Sequence, residues 1–451
     1  MIQLFALHSG YGLMTAAAAL DTGLLGEADR RILVPMNTAV VPETAIDLGS
    51  AARYATLRDR FDEAEPLNPL IDPKHPTTWE PDEQDLPMIE RLLRRAWGLG
   101  DADIELFVQS PQVAPARTLM QVFRGARLGV MGDGLMTYSP IRSRLPRQLT
   151  ERVTRVVYPD VVPGAEPLVF VETGAKRVAV PATAFGTVLG EVGDAVPDAG
   201  LDRLGEDGLR TAVVIGQYLA SLGLVTAQEE HEMQAAMIDR AADAGVERVV
   251  FKPHPSAPPG LTEALGAMAT RRGVTFATYT GDQPAEHVAR RLGASDMVAG
   301  FSTALPTAHT LFGTRIHAVG TADVLARLTP YENSNRIPAT IVDAMTRDEW
   351  QKPGRMQQLI DTVGYAMQPE IVGQLRPRAV ELLGTLSAHE RERYVPAARL
   401  RALDLPGAPA ATPLQRMIEP AGGVGRLEEL RLTAAGARRR ARRVWKAATG
   451  R

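Results

Sequence analysis

Short apolar runs rich in β-branched residues alternate with stretches of helical spacing along most of this chain. Such runs read as buried strands of a parallel sheet, and the stretches between them as covering helices. Residues 2–7 form the first run. His8-Ser9-Gly10-Tyr11-Gly12 and an alanine-rich helix over about 13–20 follow it. This strand-turn-helix opening has the look of a Rossmann-like half but lacks a full G-x-G-x-x-G. The turn at His8, Gly10 and Gly12 is therefore either a ligand-facing loop or a tight strand-to-helix turn. Residues 31–35 are a second strand. Residues 62–87 are acidic and carry six prolines from Pro66 to Pro87, which excludes a regular element there. The pattern resumes with a helix over 86–97, a strand over 104–108, a helix over 114–124 and a strand over 127–130.

Residues 159–208 are rich in Gly, Pro, Ala and Asp, with only short apolar runs, and read as a connector. A strong strand over 211–215 then ends at Gly216-Gln217. Thr226 caps a helix reaching about 244, with Glu229 and Glu230 suiting the positive end of its dipole. The apolar run Val249-Val250-Phe251 delivers Lys252-Pro253-His254-Pro255. A helix over 261–271, a strand over 274–277 and a helix over 284–292 come next. The strand over 296–299 delivers Gly300-Phe301-Ser302-Thr303, and a helix over 304–312 and a strand over 315–319 complete the series. Strands alternating with helices predict an α/β protein. The expected architecture is two Rossmann-like doubly wound domains in a GT-B-like arrangement, with a helical C-terminal extension. The boundaries fall at residues 1–200, 205–350 and 351–451.

Composition narrows the classes. With 451 residues the chain exceeds one ordinary core, and 45% hydrophobic against 23% charged residues is a globular balance. A net charge of −3 argues against a dedicated nucleic-acid binder. No cysteine is present, which excludes disulfides, thiolate zinc sites and cysteine nucleophiles. Residues 1–7 lack the basic start of a signal peptide and meet His8-Ser9-Gly10 too soon to span a bilayer, so a cytoplasmic location is expected. Residues 426–451 reverse the local sign with Arg438-Arg439-Arg440, Arg442 and Arg443 beside Trp445 and Leu432. That stretch either lies on an anionic membrane surface, at the inner face of the cell membrane, or pairs with acidic protein surface such as residues 62–85.

Three groups sit where strands of an open α/β sheet end, the edge at which ligands bind. His254 is held in a rigid Pro-His-Pro turn. Asp133 stands between Gly132 and Gly134, which leave its carboxylate uncrowded, although Asp-Gly is also a common turn signal. Ser302 and Thr303 precede a helix, where hydroxyls and N–H groups can meet an anion.

On these residues the chain resembles the bacterial sialyltransferases of the polysialyltransferase and lipooligosaccharide-sialyltransferase type, GT-B enzymes that use CMP-sialic acid. The likeness rests on Gly132-Asp133-Gly134, on Lys252-Pro253-His254-Pro255 and on Phe301-Ser302-Thr303-Ala304-Leu305. Gly216-Gln217, followed by a helix with Glu230 in its first turn, is similar to the segment opening that family's donor domain. It covers about residues 1–345 and departs at Gly132, where the family often has a second acidic residue. The resemblance implies an inverting, metal-independent transfer of sialic acid, or a related nonulosonic acid, from a CMP-activated donor. The receiving group would be a hydroxyl of a glycan or glycolipid acceptor in cell-surface polysaccharide (capsule) synthesis. Asp133 would then be the base, with Glu172 or Asp160 as the residues to test if it is not. His254 would serve the leaving phosphate, and Gly216, Gln217, Lys252, Pro255, Ser302 and Thr303 would bind donor or phosphate. His8, Gly10 and Gly12 would lie on the acceptor side or form a turn. No cofactor beyond the nucleotide sugar is expected. A GT-B enzyme using CMP-Kdo or a CDP-polyol would share the His-Pro and Ser-Thr motifs, and a non-catalytic scaffold of an envelope-assembly complex is the third reading.

Overall fold

The computed structural model describes residues 1–39, 46–132, 134–217, 219–220, 223–254 and 261–409. Asp133, Pro255 and the basic stretch 426–451 lie outside the described residues. In the first half, strands β1 (Ile2–Leu7), β2 (Arg30–Pro35), β3 (Glu63–Ala64), β4 (Ile104–Val108), β5 (Arg127–Met131), β6 (Val153–Pro159) and β7 (Lys176–Val180) form one sheet. Its order is β3-β2-β1-β4-β5-β6-β7, all pairs parallel. In the second half, β8 (Thr211–Ile215), β9 (Arg248–Lys252), β10 (Thr275–Thr278), β11 (Asp296–Ala299) and β12 (Arg315–Ala318) make a parallel sheet of order β10-β9-β8-β11-β12. Each order runs outward one way and then reverses. The reversal falls between β1 and β4 in the first sheet and between β8 and β11 in the second. The expected pair of doubly wound sheets is present.

One face of each sheet contributes to a single shared core. Phe5, Phe107, Met131 and Val157 from the first sheet join Val213, Val250 and Met297 from the second through the helices between them. The opposite faces have cores of their own, built on Leu4, Leu106 and Val130 in the first half and on Ala212, Val249 and Val298 in the second. Strand side chains alternate between faces, so a run apolar at nearly every position and buried throughout, such as β1, is a strand covered on both sides. The helices of the shared layer approach closely because they are made of small residues. Helix Gly10–Asp21 buries Ala16, Ala17, Ala18 and Ala19. In helix Ala182–Asp194, a Cβ on Gly186 would come 3.5 Å from Leu311, and one on Gly193 would overlap the His287 ring at 1.7 Å.

Two sequence expectations are corrected here. Residues 159–208 are not a connector: β7 and the helices Ala182–Asp194 and Ala199–Gly205 lie within them, and β7 pairs with β6. β7 is a mixed edge strand whose residues alternate between exposed and buried, so it lacks an apolar run. The glycines of the helix mark close packing rather than a loop. Residues 62–87, read as irregular, hold the short strand β3 and the helical turns Asn68–Ile71, Pro76–Thr78 and Glu83–Asp85.

Beyond β12 the chain is helical and returns to the first half. A Cβ on Gly364 would come 2.2 Å from Leu168, and the Glu166 N–H donates to Gln357 Oε1 at 2.6 Å. Arg336, 2% exposed, fixes the start of this segment. Its guanidinium donates to the carbonyls of Leu325 (3.2 Å), Leu328 (2.7 Å) and Tyr331 (2.8 Å) and stacks 4.0 Å from the centroid of the Tyr331 ring. Among the described residues no helix is long and apolar enough to cross a membrane.

The seam between the halves carries a titratable group. His287, 1% exposed, lies 4.0 Å from Asp194, with Arg290 and Arg291 beside it. Burial, and then Arg290, push its pKa down from 6.5 to about 4, against the pull of Asp194. Above about pH 6.5 the histidine is neutral folded or unfolded, and the packing keeps its full worth. As the pH falls toward 4 the unfolded chain takes up the proton first, and stability drops by up to about 3 kcal/mol. Urea melts of His287→Asn should lose less stability than wild type between about pH 7 and pH 4; equal losses would show that this histidine does not set the acid limb.

Candidate functional site

β8 lies at the centre of the second sheet, so residues just beyond it touch both neighbouring strand ends. The Gly216 N–H donates to Lys252 O at 2.9 Å. A Cβ on Gly216 would fall 2.8 Å from the Phe251 ring and 3.3 Å from Pro253 Cα, so only glycine lets the Pro253-His254 backbone pass. On the other side the Gln217 amide closes the β8–β11 crevice. Its Nε2 donates to Phe301 O, and its Oε1 accepts the Phe301 N–H at 2.8 Å. Gly300 is matched to this clamp, since a Cβ there would meet Gln217 Oε1 at 2.5 Å. Glu230, 2% exposed, steadies the loop beyond Gln217 by accepting the N–H groups of Leu219 (2.7 Å) and Ala220 (3.0 Å).

Phe301 so fixed, the chain enters helix Ala304–Phe312. Ser302 Oγ accepts the Ala304 N–H at 3.2 Å, and Thr307 Oγ1 donates to Thr303 O at 2.9 Å. His254 is exposed at the end of β9, its backbone beside Gly216. Lys252 turns to another loop: its ammonium donates to Gly281 O at 2.9 Å and sits 5.0 Å from the centroid of the Tyr279 ring. Burial lowers its pKa, opposed by Asp282 and Glu286.

In the first half a second glutamine closes the β1–β4 crevice. Gln109, fully buried, accepts the N–H groups of His8 (2.8 Å) and Ser9 (3.2 Å) through Oε1 and donates to Ser9 Oγ at 2.9 Å. Ser9 Oγ accepts the Gly12 N–H at 3.1 Å and so caps helix Gly10–Asp21. A Cβ on Gly12 would meet the Gln109 amide at 2.0 Å. Gln109 and Ser9 thus engage the N–H groups of His8, Ser9 and Gly12 in the turn after β1. His8 Nε2 lies 3.0 Å from Ser110 Oγ.

The two halves touch near these strand ends. Gly134, at φ +129° and ψ −154°, holds a backbone conformation open to glycine, and a Cβ there would come 2.9 Å from Thr303 Cγ2. Gly134, next to Asp133, therefore meets Thr303 across the seam, whereas Gly132 packs on Thr137 and Val157 of its own half. Tyr11 OH and Thr307 Oγ1, 2.9 Å apart, and Thr310 Oγ1 donating to Val161 O at 3.0 Å extend the contact. Asp160 directly follows β6 on the same edge, and burial raises its pKa. Glu172, also raised by burial, is elsewhere, lining a cavity of about 420 Å³ with Arg144, Arg147 and Glu370. A second cavity, of about 580 Å³, lies between Arg142, Asn333, Gln368 and Arg399. Neither cavity contains Gly134, Gln217, His254, Ser302 or Thr303. We take the strand-edge cluster as the site because hydrogen bonds and close backbone contacts join its members.

The sequence reading missed Gln109, Ser110 and Tyr11. A signal for Gln109 existed: it directly follows an apolar strand, much as Gln217 follows β8 one residue later.

A family model described as alpha-2,8-polysialyltransferase (POLYST) matches residues 3–319. Among solved structures the chain is similar to the GT-B domain of a sialyltransferase from Photobacterium damselae, with 10% identity, TM-score 0.43 and coverage of 77% of this chain and 97% of that one. A glycosyltransferase from Rickettsia africae ESF-5 gives 8% identity, TM-score 0.38 and coverage of 85% and 99%. UGT2 of Phytolacca americana, complexed with UDP-2-fluoroglucose and pterostilbene, gives 12%, 0.35, 84% and 99%. No curated protein matches.

Gln217→Leu, close in size, leaves both polar groups of Phe301 unpaired and should lower stability by about 2 kcal/mol in urea melts. The exchange rate of the Phe301 amide should rise with it. An unchanged amide rate would show that the clamp does not hold the Ser302-Thr303 segment.

Proposed function

The chain belongs to the alpha-2,8-polysialyltransferase family, and from that premise we propose an inverting, metal-independent glycosyltransferase that moves sialic acid, or a related nonulosonic acid, from a CMP-activated donor to a glycan hydroxyl. The observation that carries this reading is the meeting of Gly134 with Thr303 across the seam. It brings the segment around Asp133 in one half against a hydroxyl-bearing helix start in the other. In such a transfer the acceptor oxygen attacks the anomeric carbon from the face opposite the leaving phosphate. The bond from that carbon to the phosphate oxygen breaks, and CMP departs with one more negative charge. Asp133 takes the proton of the attacking hydroxyl. Ser302 and Thr303 offer hydroxyl and N–H donors where that charge grows, and the His254 imidazole donates to the same phosphate. Only one added charge has to be met, so these donors suffice without a metal.

Gln217 in this scheme is a positioning residue, since both ends of its amide are engaged by Phe301. Lys252 supports the loop beside the site rather than the phosphate, given its bond to Gly281. The basic stretch 426–451 suits peripheral attachment to an anionic membrane on which envelope glycans are assembled. Loss of co-sedimentation with anionic vesicles when that stretch is removed, with melting temperature unchanged, is the expected result; a lowered melting temperature without vesicle binding by the intact chain would oppose it.

A thermal-shift screen of CMP, CDP, UMP and UDP should show stabilisation by CMP above the others. Preference for CDP would favour a polyol-phosphate donor, and no response to any nucleotide would contradict a transferase. His254→Ala should lower turnover more than tenfold while donor affinity stays within about tenfold, because its contribution comes as charge develops in the transition state. A variant retaining more than about a tenth of wild-type turnover would remove His254 from the mechanism.

A further inference from the structure

The loop Tyr279–Gln283, which follows β10, joins three separate parts of the molecule. Toward the segment linking the halves, Tyr279 OH donates to Asp198 Oδ2 at 2.7 Å, and Gln283 Nε2 donates to the carbonyls of Gly193 (3.1 Å) and Val196 (3.2 Å). Toward the site, Gly281 O and the Tyr279 ring hold the Lys252 ammonium, two residues before His254. Toward the first half, Asp282 receives Arg53: Nη1 donates to Asp282 O at 3.0 Å, and Nη2 lies 2.5 Å from Oδ2.

Arg53 is 5% exposed, whereas the Asp282 side chain is 67% exposed. A buried guanidinium is costly unless paired, and its partner belongs to the other half of the molecule, so Arg53 is satisfied in this way only when the halves are docked. The residue after it, Tyr54, packs on the first-half turn, where a Cβ on Gly10 would come 2.1 Å from the Tyr54 hydroxyl. A continuous path therefore runs from Gly10 through Tyr54 and Arg53 to Asp282 and Gly281, and on to Lys252, Pro253 and His254. Among the groups facing it, the buried Glu286 adds a carboxyl near Lys252.

We propose that Arg53 and Asp282 are positioning residues: a clasp between the halves that holds the Tyr279–Gln283 loop against Lys252 and thereby sets His254 for transfer. The clasp touches neither donor nor acceptor. The proposal deepens the transferase reading and rests on the role given there to His254. Displacing a reacting group by a fraction of its reach costs turnover much more than affinity.

The test uses the full chain with Arg53→Gln, Asp282→Asn, the double variant and Arg53→Lys, melting curves confirming that each is folded. Each of the first two should lower kcat about tenfold while CMP affinity by calorimetry stays within twofold. The double variant should be no worse than either single one, and Arg53→Lys should recover part of the loss. Hydrogen exchange supplies a readout independent of activity: the Lys252 and His254 amides should exchange faster in Arg53→Gln, with β11 unaffected. Unchanged exchange at those amides, or a double variant whose loss is the product of the two single losses, overturns the clasp. A wild-type chain that neither binds CMP nor transfers sialic acid counts instead against the donor assignment, and the exchange experiment still decides the clasp.

Discussion

In a doubly wound sheet the loops after two central strands leave in opposite directions, and the backbone just past those strand ends loses its ladder partners. In this protein one side-chain amide meets that need in each half. Gln217 supplies a donor and an acceptor to both polar groups of Phe301, and Gln109 gathers the N–H groups of His8 and Ser9 and the hydroxyl of Ser9. Everything near the site hangs from these two clamps. The first holds the entry to helix Ala304–Phe312 and so the direction of Ser302 and Thr303. The second ties the turn after β1 to the end of β4 through the N–H groups of His8 and Ser9. The asymmetry between halves thus starts in how two amides are used, on sheets of the same winding.

Contact between the halves depends on what is absent from side chains. Gly134 against Thr303 and Gly193 against His287 each leave no room for a Cβ. Replacing either one would push apart elements that the shared core holds together. Polar contacts are then placed around this close approach: Tyr11 with Thr307, Thr310 with Val161, Arg53 with Asp282. Apolar burial supplies most of the attraction, and the directional bonds determine register.

Much of this was legible in the sequence. The runs that became β1, β4, β8, β9 and β11 are apolar at nearly every position, and the Thr226 cap closes with Glu229 into a capping box. The three motifs were placed at strand ends from their flanking Pro and Gly alone. β7 was not legible, since its mixed pattern reflects an edge position that only the sheet order defines. The glycine-rich helix Ala182–Asp194 looked like a connector because its glycines answer to partners far away in sequence, Leu311, Arg290 and His287. Arg53 and Asp282 gave no signal, being one arginine and one aspartate of ordinary surroundings brought together 229 positions apart. Lys252 is expected from its neighbours in sequence to bind donor or phosphate; the bond of its ammonium to Gly281, set by the fold of another loop, gave no signal in the sequence.

In the proposed transfer the donor phosphate lies at the β8–β11 crevice, on Ser302 and Thr303, facing Gly134. A crystal structure of the full chain with CMP tests it most directly. The phosphate is expected within about 3 Å of the Ser302 or Thr303 hydroxyl or N–H groups, with the His254 ring on its open side. A nucleotide bound instead at the β1–β4 crevice, or one whose phosphate is remote from Ser302 and Thr303, would contradict it.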